Sequence, residues 1–311
     1  QAIVALGGGS VMDASKVIAL LAKQGGNAWD YTSTFLQKGK EVKEALPIIT
    51  IPTVAATGSE ADPIAVLNNP QTSDKNSVSG LALYPKLALI DPELTLTCPI
   101  STTMDGIIDI LAHAIETYFS NRETTPIQDG ITETVAKTLY EMGKKIMDNP
   151  FDIEARNQIS WASTLVMAGF LTGRNGGWPL HAIEHAISGL YPKISHGAGL
   201  AALLVPMIAW DKHHAGAFKL KGFLKAIKGI EIKTLEEGFD LLIEILKDLK
   251  SDHNLKKLGV KKEDLPLIAQ KVLDLKGNKE EKLINLVPMG YQDILKVLEK
   301  AYEFPKGIYK P

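Results

Sequence analysis

Five residues of the chain have the types and the spacing of a metal site: Asp109 and His113, His181 and His185, and His196. Residues four apart lie on the same face of a helix, so each pair can direct two side chains to one point. Imidazoles with one carboxylate suit Fe²⁺ or Zn²⁺ better than Mg²⁺ or Ca²⁺. Burying these groups without partners costs several kcal/mol, and a shared ion removes that cost. The pattern therefore predicts a mononuclear site for a divalent ion.

The spacing alone leaves open whether two or three imidazoles bind. A lone histidine on a helix is more often a core or surface residue than a ligand, but two pairs on separate apolar helices are harder to explain by packing. Asp105 precedes the first pair, and its predicted place at the start of a helix makes it the weaker ligand candidate. The adjacent His213 and His214 diverge by about 100° on a helix, which predicts surface residues.

The second half of the sequence supplies helices to position these side chains. Helical periodicity predicts helices over residues 103–120 and 179–189, with Pro179 in the first turn of the latter. A third apolar helix spans residues 198–210, where Pro206 should bend it, and residues 239–249 and 294–303 are amphipathic. Strand signals are almost absent after residue 97. We therefore expect an all-helical part over residues 98–311.

Residues 1–97 have the pattern of an α/β layer. A short apolar run at 2–6 predicts a buried strand, stopped by Gly7-Gly8-Gly9. A helix should follow over residues 10–21, with Ser10 as its N-cap and Asp13 completing the capping pattern. Residues 48–52 and 87–90 are further strand candidates. Short strands that alternate with turns and a helix predict a parallel, Rossmann-like sheet.

Two polar glycine loops follow predicted strands of this layer. The Gly-Gly-Gly-Ser segment before a helix can hold a pyrophosphate, because glycines admit close approach and the helix N-terminus attracts anions. The alternative is a tight glycine turn, and the segment lacks the G-x-G-x-x-G fingerprint. The second loop, residues 57–60, follows the strand at 48–52. Both loops should lie at the carboxyl ends of parallel strands, where nucleotides bind.

Composition limits the partners and the compartment. The 311 residues are 45% hydrophobic and 23% charged, with a formal net charge of −2, which disfavours nucleic acid as a partner. No apolar run reaches the roughly 20 residues of a membrane helix. The single cysteine, Cys98, excludes a disulfide framework within the chain and favours a reducing cytoplasm.

Four motifs in order give the chain a family resemblance. They are Gly7-Gly8-Gly9-Ser10-x₂-Asp13-x₂-Lys16, Thr53-x₃-Thr57-Gly58-Ser59-Glu60, Asp91-Pro92-Glu93-Leu94 and the Asp/His pattern. Together they resemble the iron-containing (group III) alcohol dehydrogenases, and within them the butanol dehydrogenase-like branch. The resemblance implies a dehydroquinate synthase-like architecture, with a nucleotide-binding part over residues 1–97 and a helical catalytic part over 98–311. It also implies a homodimer.

The resemblance also implies roles for individual residues. Asp109, His113, His181 and His196 would bind the metal, and His185 would lie on the substrate side as the catalytic proton carrier. Gly8, Gly9 and Ser10 would hold the pyrophosphate, and Asp13, Thr53, Thr57, Lys75, Leu94 and Thr97 would line the cofactor cleft. An alternative register replaces His181 by His185 as a ligand. The chain departs from the family pattern at residues 54–56 and by one additional residue between His181 and His196.

The implied activity is reversible hydride transfer between a small primary alcohol, such as butanol, and NAD or NADP, with Fe²⁺ or Zn²⁺ as the ion. Family members begin well before the Gly-Gly-Gly-Ser strand, so a truncated dehydrogenase with weak cofactor binding and an exposed sheet edge is one alternative. A metal-dependent synthase or lyase is a second alternative. A metal hydrolase is the third, although it leaves the glycine loop without a role.

Overall fold

A computed structural model describes residues 1–34, 38–120, 125–171, 177–211 and 216–305. The prediction of surface positions for His213 and His214 lies outside these ranges. In the described chain, a small sheet near the N-terminus is followed by an antiparallel hairpin and then by helices. The order of elements agrees with the α/β part and the helical part expected from the sequence.

Three short parallel strands form the sheet, in the order β1-β2-β5. They are β1 (Ile3–Gly7), β2 (Ile48–Pro52) and β5 (Leu87–Ala88). Helix α1 (Gly9–Gln24) packs on one face of this sheet, and Ala5 in the middle of β1 is buried. On β1, which has one strand neighbour in the described chain, Val4 and Leu6 are 61% and 59% exposed.

Two strands that the sequence did not reveal form a hairpin between the second loop and β5. They are β3 (Ile64–Asn69) and β4 (Asp74–Ser79), paired antiparallel from Ile64 opposite Ser79 to Asn69 opposite Asp74. Strand β4 is mostly polar, so its apolar alternation is too weak to identify it. Its far side packs against a helix of the second half, and through this contact the hairpin connects the two parts of the chain.

The helical part is built around a nearly fully buried helix, α2 (Ile100–Phe119). The other helices are α3 (Pro126–Asp148), α4 (Ile153–Met167), α5 (Pro179–Leu190), α6 (His196–Asp211), α7 (Gly216–Lys228), α8 (Leu235–Asp248), α9 (Leu265–Lys276) and α10 (Tyr291–Glu303). Helices α6 and α3 pack against α2, and α5 packs against α6. The predicted helices over 103–120, 179–189 and 198–210 agree with α2, α5 and α6, and Pro206 lies inside α6.

One local prediction about α1 is wrong. The helix begins at Gly9 with Gly8 at the cap position, so Ser10 is its second residue and no side chain caps the helix. The glycines allow the helix to begin two residues earlier than it would with Ser10 as its cap. The first turn of α1 also carries no acidic residue. The N–H groups of Val11 and Met12 donate to Gly8 O, so those of Gly9 and Ser10 are the ones open to an anion from outside the chain.

Candidate metal centre and cofactor cleft

One carboxylate oxygen is the focus of the predicted metal site. Asp109 Oδ1 lies 3.5 Å from Nδ1 of His113, 3.5 Å from Nε2 of His181 and 3.6 Å from Nε2 of His196. Helix α2 supplies the first two residues, α5 supplies His181, and His196 is the first residue of α6. The ligand atoms of Asp109, His181 and His196 all lie within 4.8 Å of one another. His113 is not part of this mutual group, so the three helices bring all four predicted ligands to Asp109 Oδ1 but only three of them within 4.8 Å of one another.

These separations fit metal ligands better than hydrogen-bond partners. Four ligands in a tetrahedron, each about 2.1 Å from an ion, stand about 3.4 Å from one another. Asp109 Oδ1, His113 Nδ1 and His181 Nε2 are buried and have no hydrogen-bond partner in the described part of the chain. Buried polar atoms are rarely left without partners. Several buried unpartnered atoms that converge on one point are what a cation site requires, so the residues fit a divalent ion.

Two buried glutamates orient two of the imidazoles. Glu116 Oε2 bonds Nδ1 of His181, and Glu184 Oε2 bonds Nδ1 of His196. Each carboxylate therefore holds one ring nitrogen and leaves Nε2 of the same ring directed towards Asp109. This carboxylate–histidine arrangement fixes the ring and its tautomer in metal sites. Glu116 Oε1 also accepts the main-chain N–H of His181 at 3.1 Å, which ties α2 to the start of α5.

The repeated tetrad His-Ala-Ile-Glu, at 113–116 and 181–184, was the sequence signal for these glutamates. In the structure, both glutamates of the repeat bond histidines of the metal centre. The glutamate of the first tetrad orients the histidine of the second, and the glutamate of the second orients His196. Sequence reasoning missed Glu116 and Glu184 because they lie outside the ligand spacing itself.

The charges around the centre also favour a cation. Asp109, Glu116 and Glu184 are buried, at 2%, 5% and 0% exposure, and Lys75 Nζ is the one ammonium bonded to this group in the described chain. Against the effect of burial, the nearby carboxylate of Glu116 raises the pKa of His181 to about 10, so His181 would release a proton as an ion binds. With all imidazoles then neutral, the three carboxylates and one ammonium leave two excess negative charges, which is the charge that one divalent ion neutralises. Burial lowers the pKa of His113 to about 3, which keeps its ring in the neutral form that binds metals.

His185 lies one turn beyond His181 and outside the Asp109 group. Its ring centroid is 5.4 Å from that of His196 and 6.3 Å from that of His181. Its Nδ1 is buried and has no partner among the described residues. Burial, followed by the nearby charge of Lys75, holds the pKa of His185 well below its ordinary value. The alternative register, with His185 in place of His181, therefore conflicts with these distances.

Trp178, at the N-terminal end of α5, lies against the His113 and His181 side of the centre. Its indole ring contacts His113 and His181 edge-on, with centroid separations of 5.9 and 5.6 Å. An aromatic ring in this place limits the access of water to the two imidazoles, which strengthens electrostatic interactions inside the site. Sequence reasoning did not select Trp178, because it precedes the first helical residue of the His181 pair.

The two glycine loops meet at the carboxyl ends of β1 and β2, where Gly7 lies opposite Pro52. A Cβ on Gly9 would lie 2.5 Å from Cγ2 and 2.7 Å from Oγ1 of Thr57. These distances show direct packing of the second loop on the first. A Cβ on Gly8 would lie no closer than 3.5 Å to any atom outside its neighbours, at Val54. The loops form one cradle, and an anion at its floor would meet the uncapped first turn of α1.

Asp13 lies beneath this cradle instead of lining it. Its Oδ1 accepts the hydroxyl of Ser59 at 2.6 Å, and its Oδ2 accepts the main-chain N–H of Val66 at 2.8 Å. Both oxygens are engaged within the protein and the residue is buried, so Asp13 supports the second loop and β3 here, and its predicted cofactor contact stays a prediction. Lys16 is fully buried beside it and donates to Ser59, to Asp62 and to two main-chain carbonyls. Burial raises the pKa of Asp13 to about 6.

Lys75, predicted to line the cofactor cleft, lies beside the metal centre, and its cofactor contact stays a prediction. Strand β4 directs Nζ to the metal centre, 3.0 Å from Ser188 Oγ, 3.3 Å from His196 Nδ1 and 3.5 Å from Glu184 Oε2. The glycine cradle is not among these contacts. The remaining predicted cofactor residues are more open: Ser10, Leu94 and Thr97 are exposed and Thr53 is half-buried after β2. Leu94 lies in a short 3₁₀ helix, Pro92–Thr95.

Comparison with known proteins gives consistent matches along the chain. The family model described as iron-containing alcohol dehydrogenase matches residues 1–92, and that of the Fe-containing alcohol dehydrogenase family, C-terminal, matches residues 103–302. NADH-dependent butanol dehydrogenase B of Clostridium acetobutylicum is 33% identical over 311 residues, covering 97% of this chain and 77% of that protein. An NADPH-dependent aldehyde reductase of Escherichia coli is 30% identical over 244 residues, covering 78% and 62% respectively.

A solved structure agrees with the fold. The crystal structure of NADH-dependent butanol dehydrogenase A from Thermotoga maritima superposes with a TM-score of 0.89 at 32% identity, covering 97% of this chain and 76% of that one. The resemblance found in the four motifs and the predicted fold class are both confirmed. The chain belongs to the iron-containing alcohol dehydrogenase family.

Proposed function

We propose that this protein is an NAD(P)-dependent alcohol dehydrogenase and aldehyde reductase that works with one divalent metal ion. The observation that carries the proposal is the convergence of three imidazole nitrogens within 3.6 Å of one buried carboxylate oxygen, Asp109 Oδ1. Family membership supplies the reaction class. Small primary alcohols such as butanol, and the matching aldehydes, are the proposed substrates, in line with the names of the relatives.

Asp109, His113, His181 and His196 would hold the ion, either Fe²⁺ or Zn²⁺. When bound, the ion supplies Lewis-acid polarisation of the alcohol or aldehyde oxygen. Glu116 and Glu184 keep the rings of His181 and His196 in the tautomer that leaves Nε2 free. The chain thereby fixes the direction from which an oxygen can approach the centre.

His185 would hold and release the proton of the alcohol. Its ring lies beside that of His196 but outside the Asp109 group, so it is close to the centre without being a ligand. Nδ1 has no partner among the residues described, which leaves it available to a substrate proton. A lowered pKa keeps the ring neutral and therefore able to accept that proton.

The cradle of Gly8, Gly9 and Ser10 would bind the cofactor pyrophosphate at the uncapped N-terminus of α1. NAD or NADP supplies the hydride chemistry when bound, and the protein sets its position and surroundings. Thr53, Thr57, Leu94 and Thr97 are the proposed further contacts of the cleft. Asp13 is left out of this set, because both of its oxygens are engaged within the protein.

The deciding experiment combines elemental metal analysis with reduction of butyraldehyde by NADH and by NADPH. We expect one ion per chain and aldehyde-dependent oxidation of at least one cofactor. His196→Ala should lose tight metal binding and turnover together. His253→Ala is the matched control, because His253 is absent from both potential metal groups. Full metal occupancy in His196→Ala would refute the ligand assignment, and ester hydrolysis without nucleotide would favour the metal hydrolase.

A further inference from the structure

A second group of potential metal ligands overlaps the first. It consists of Glu184, His185 and His196, whose ligand atoms all lie within 4.8 Å of one another. His196 belongs to both groups, because its Nε2 faces Asp109 and its Nδ1 faces Glu184. The imidazole ring therefore stands between two sets of donors, one on each nitrogen.

Two potential ligand atoms of the second group have no hydrogen-bond partner among the residues that the structure describes. They are Glu184 Oε1 and His185 Nδ1. Glu184 is fully buried and His185 is 9% exposed. A buried acceptor without a partner is costly, and two of them in one group indicate a cation that the protein side chains do not supply in full.

Lys75 supplies part of that positive charge. Its Nζ lies 3.0 Å from Ser188 Oγ, 3.3 Å from His196 Nδ1 and 3.5 Å from Glu184 Oε2. The ammonium thus stands among the oxygen and nitrogen donors of the second group, with its side chain 15% exposed. It blocks this group sterically and repels any divalent ion that approaches it.

We propose that Glu184, His185 and His196 form a second divalent-cation position, and that the ammonium of Lys75 fills it and keeps the centre mononuclear. Removal of the ammonium opens a site with one carboxylate and two imidazoles, a donor set suited to Zn²⁺ or Co²⁺. His196 then bridges two ions through its two nitrogens. Ser188 Oγ and solvent complete the coordination on the outer side.

Charge balance supports the exchange. To bind through Nδ1, His196 releases the proton of that nitrogen to the buffer. The ion brings two positive charges and the released imidazole proton removes one, so the centre gains one positive charge. That charge equals the charge of the Lys75 ammonium that the ion replaces. The buried carboxylates of Glu184 and Asp109 are therefore neutralised to the same extent before and after the exchange. Lys75 is accordingly the residue that sets the number of ions in the centre.

The test counts metal ions in Lys75→Met and does not depend on turnover. Equilibrium dialysis against Co²⁺ followed by elemental analysis should give one ion per chain in the wild type and two in the variant. Lys271→Met is the matched control: Lys271 also contacts β4, through Asp74 Oδ1 at 2.5 Å, and should keep one ion. The double variant Lys75→Met/His185→Ala should return to one.

Lys75→Gln serves as a second variant if the apolar side chain prevents folding, because loss of the charge alone is predicted to open the position. One ion in every folded Lys75 variant would overturn the second position and leave the proposed function intact. Two ions in Lys75→Met that persist after His185→Ala would also overturn it, since the additional ion would lie elsewhere. No ion in the wild type would instead count against the first site and the proposed function.

Discussion

Adding one methyl group to Gly9 should separate the two loops of the cofactor cradle. In Gly9→Ala the new Cβ would lie 2.5 Å from Cγ2 and 2.7 Å from Oγ1 of Thr57, well inside van der Waals contact. The backbone of Gly9 is not in the left-handed region, so the penalty is purely steric. Overpacking of this kind costs about 1–3 kcal/mol. If the loops separate to relieve it, NADH affinity should fall about fivefold to 150-fold.

The assay is fluorescence titration of NADH, with thermal unfolding measured in parallel. Thr57→Ala removes both close atoms and leaves Cβ at 3.1 Å. Because Thr57 is itself a proposed cofactor contact, recovery in the double variant Gly9→Ala/Thr57→Ala is judged against Thr57→Ala alone: adding Gly9→Ala should lower NADH affinity much less there than in the wild type. Gly130→Ala is the control: a Cβ at Gly130 in α3 meets no atom within 4 Å, and NADH affinity should stay unchanged. Wild-type affinity in Gly9→Ala, or no recovery in the double variant, would refute the packing argument.

Two further variants test the metal centre and the stability of the helical part. Glu116→Gln should weaken metal binding about 10- to 100-fold, measured by chelator competition, because it disturbs the carboxylate that orients His181. Glu133→Gln, which removes the charge of the carboxylate that accepts from the Tyr118 hydroxyl, should leave that affinity unchanged. Burial raises the pKa of Asp211 from 3.8 to about 7. The folded state therefore holds the proton more tightly, so stability should fall as the pH rises from about 4 to 7, and Asp211→Asn should flatten that slope in urea unfolding. An unchanged slope would contradict this cause.

The sequence predicted the ligand helices well because their geometry is local. Residues four apart share a helix face wherever the helix packs, so the pairing of Asp109 with His113 needed no tertiary information. The glutamates that orient the rings were not identified, since Glu116 acts on a residue 65 positions away. Contacts of that range depend on which helices pack together. The His-Ala-Ile-Glu repeat carried the signal, but only the packing of α2 against α5 and α6 explains it.

The other differences between the predicted and the observed structure also have local causes. The predicted cap at Ser10 failed because three consecutive glycines allow the helix to begin earlier, at Gly9. The β3–β4 hairpin was not predicted because strand β4 is mostly polar. The position of Lys75 beside the metal centre depends on this hairpin and was therefore not predicted either. Asp13 was assigned to the cofactor from the family motif, whereas Ser59 and Val66 occupy its two oxygens.

The two tetrads link the ligand helices in the order in which they follow one another along the chain. Glu116 on α2 holds His181 on α5, and Glu184 on α5 holds His196 on α6. The imidazoles of His181 and His196 are therefore each aligned by the preceding ligand helix, and the first of these helices, α2, also carries Asp109. His181 is aligned once α2 and α5 have docked, and His196 only when α6 has joined them, so the site is complete only after all three helices have docked. Retained metal is consequently a reporter of completed folding, and a lesion in any one of the three helices should release the ion.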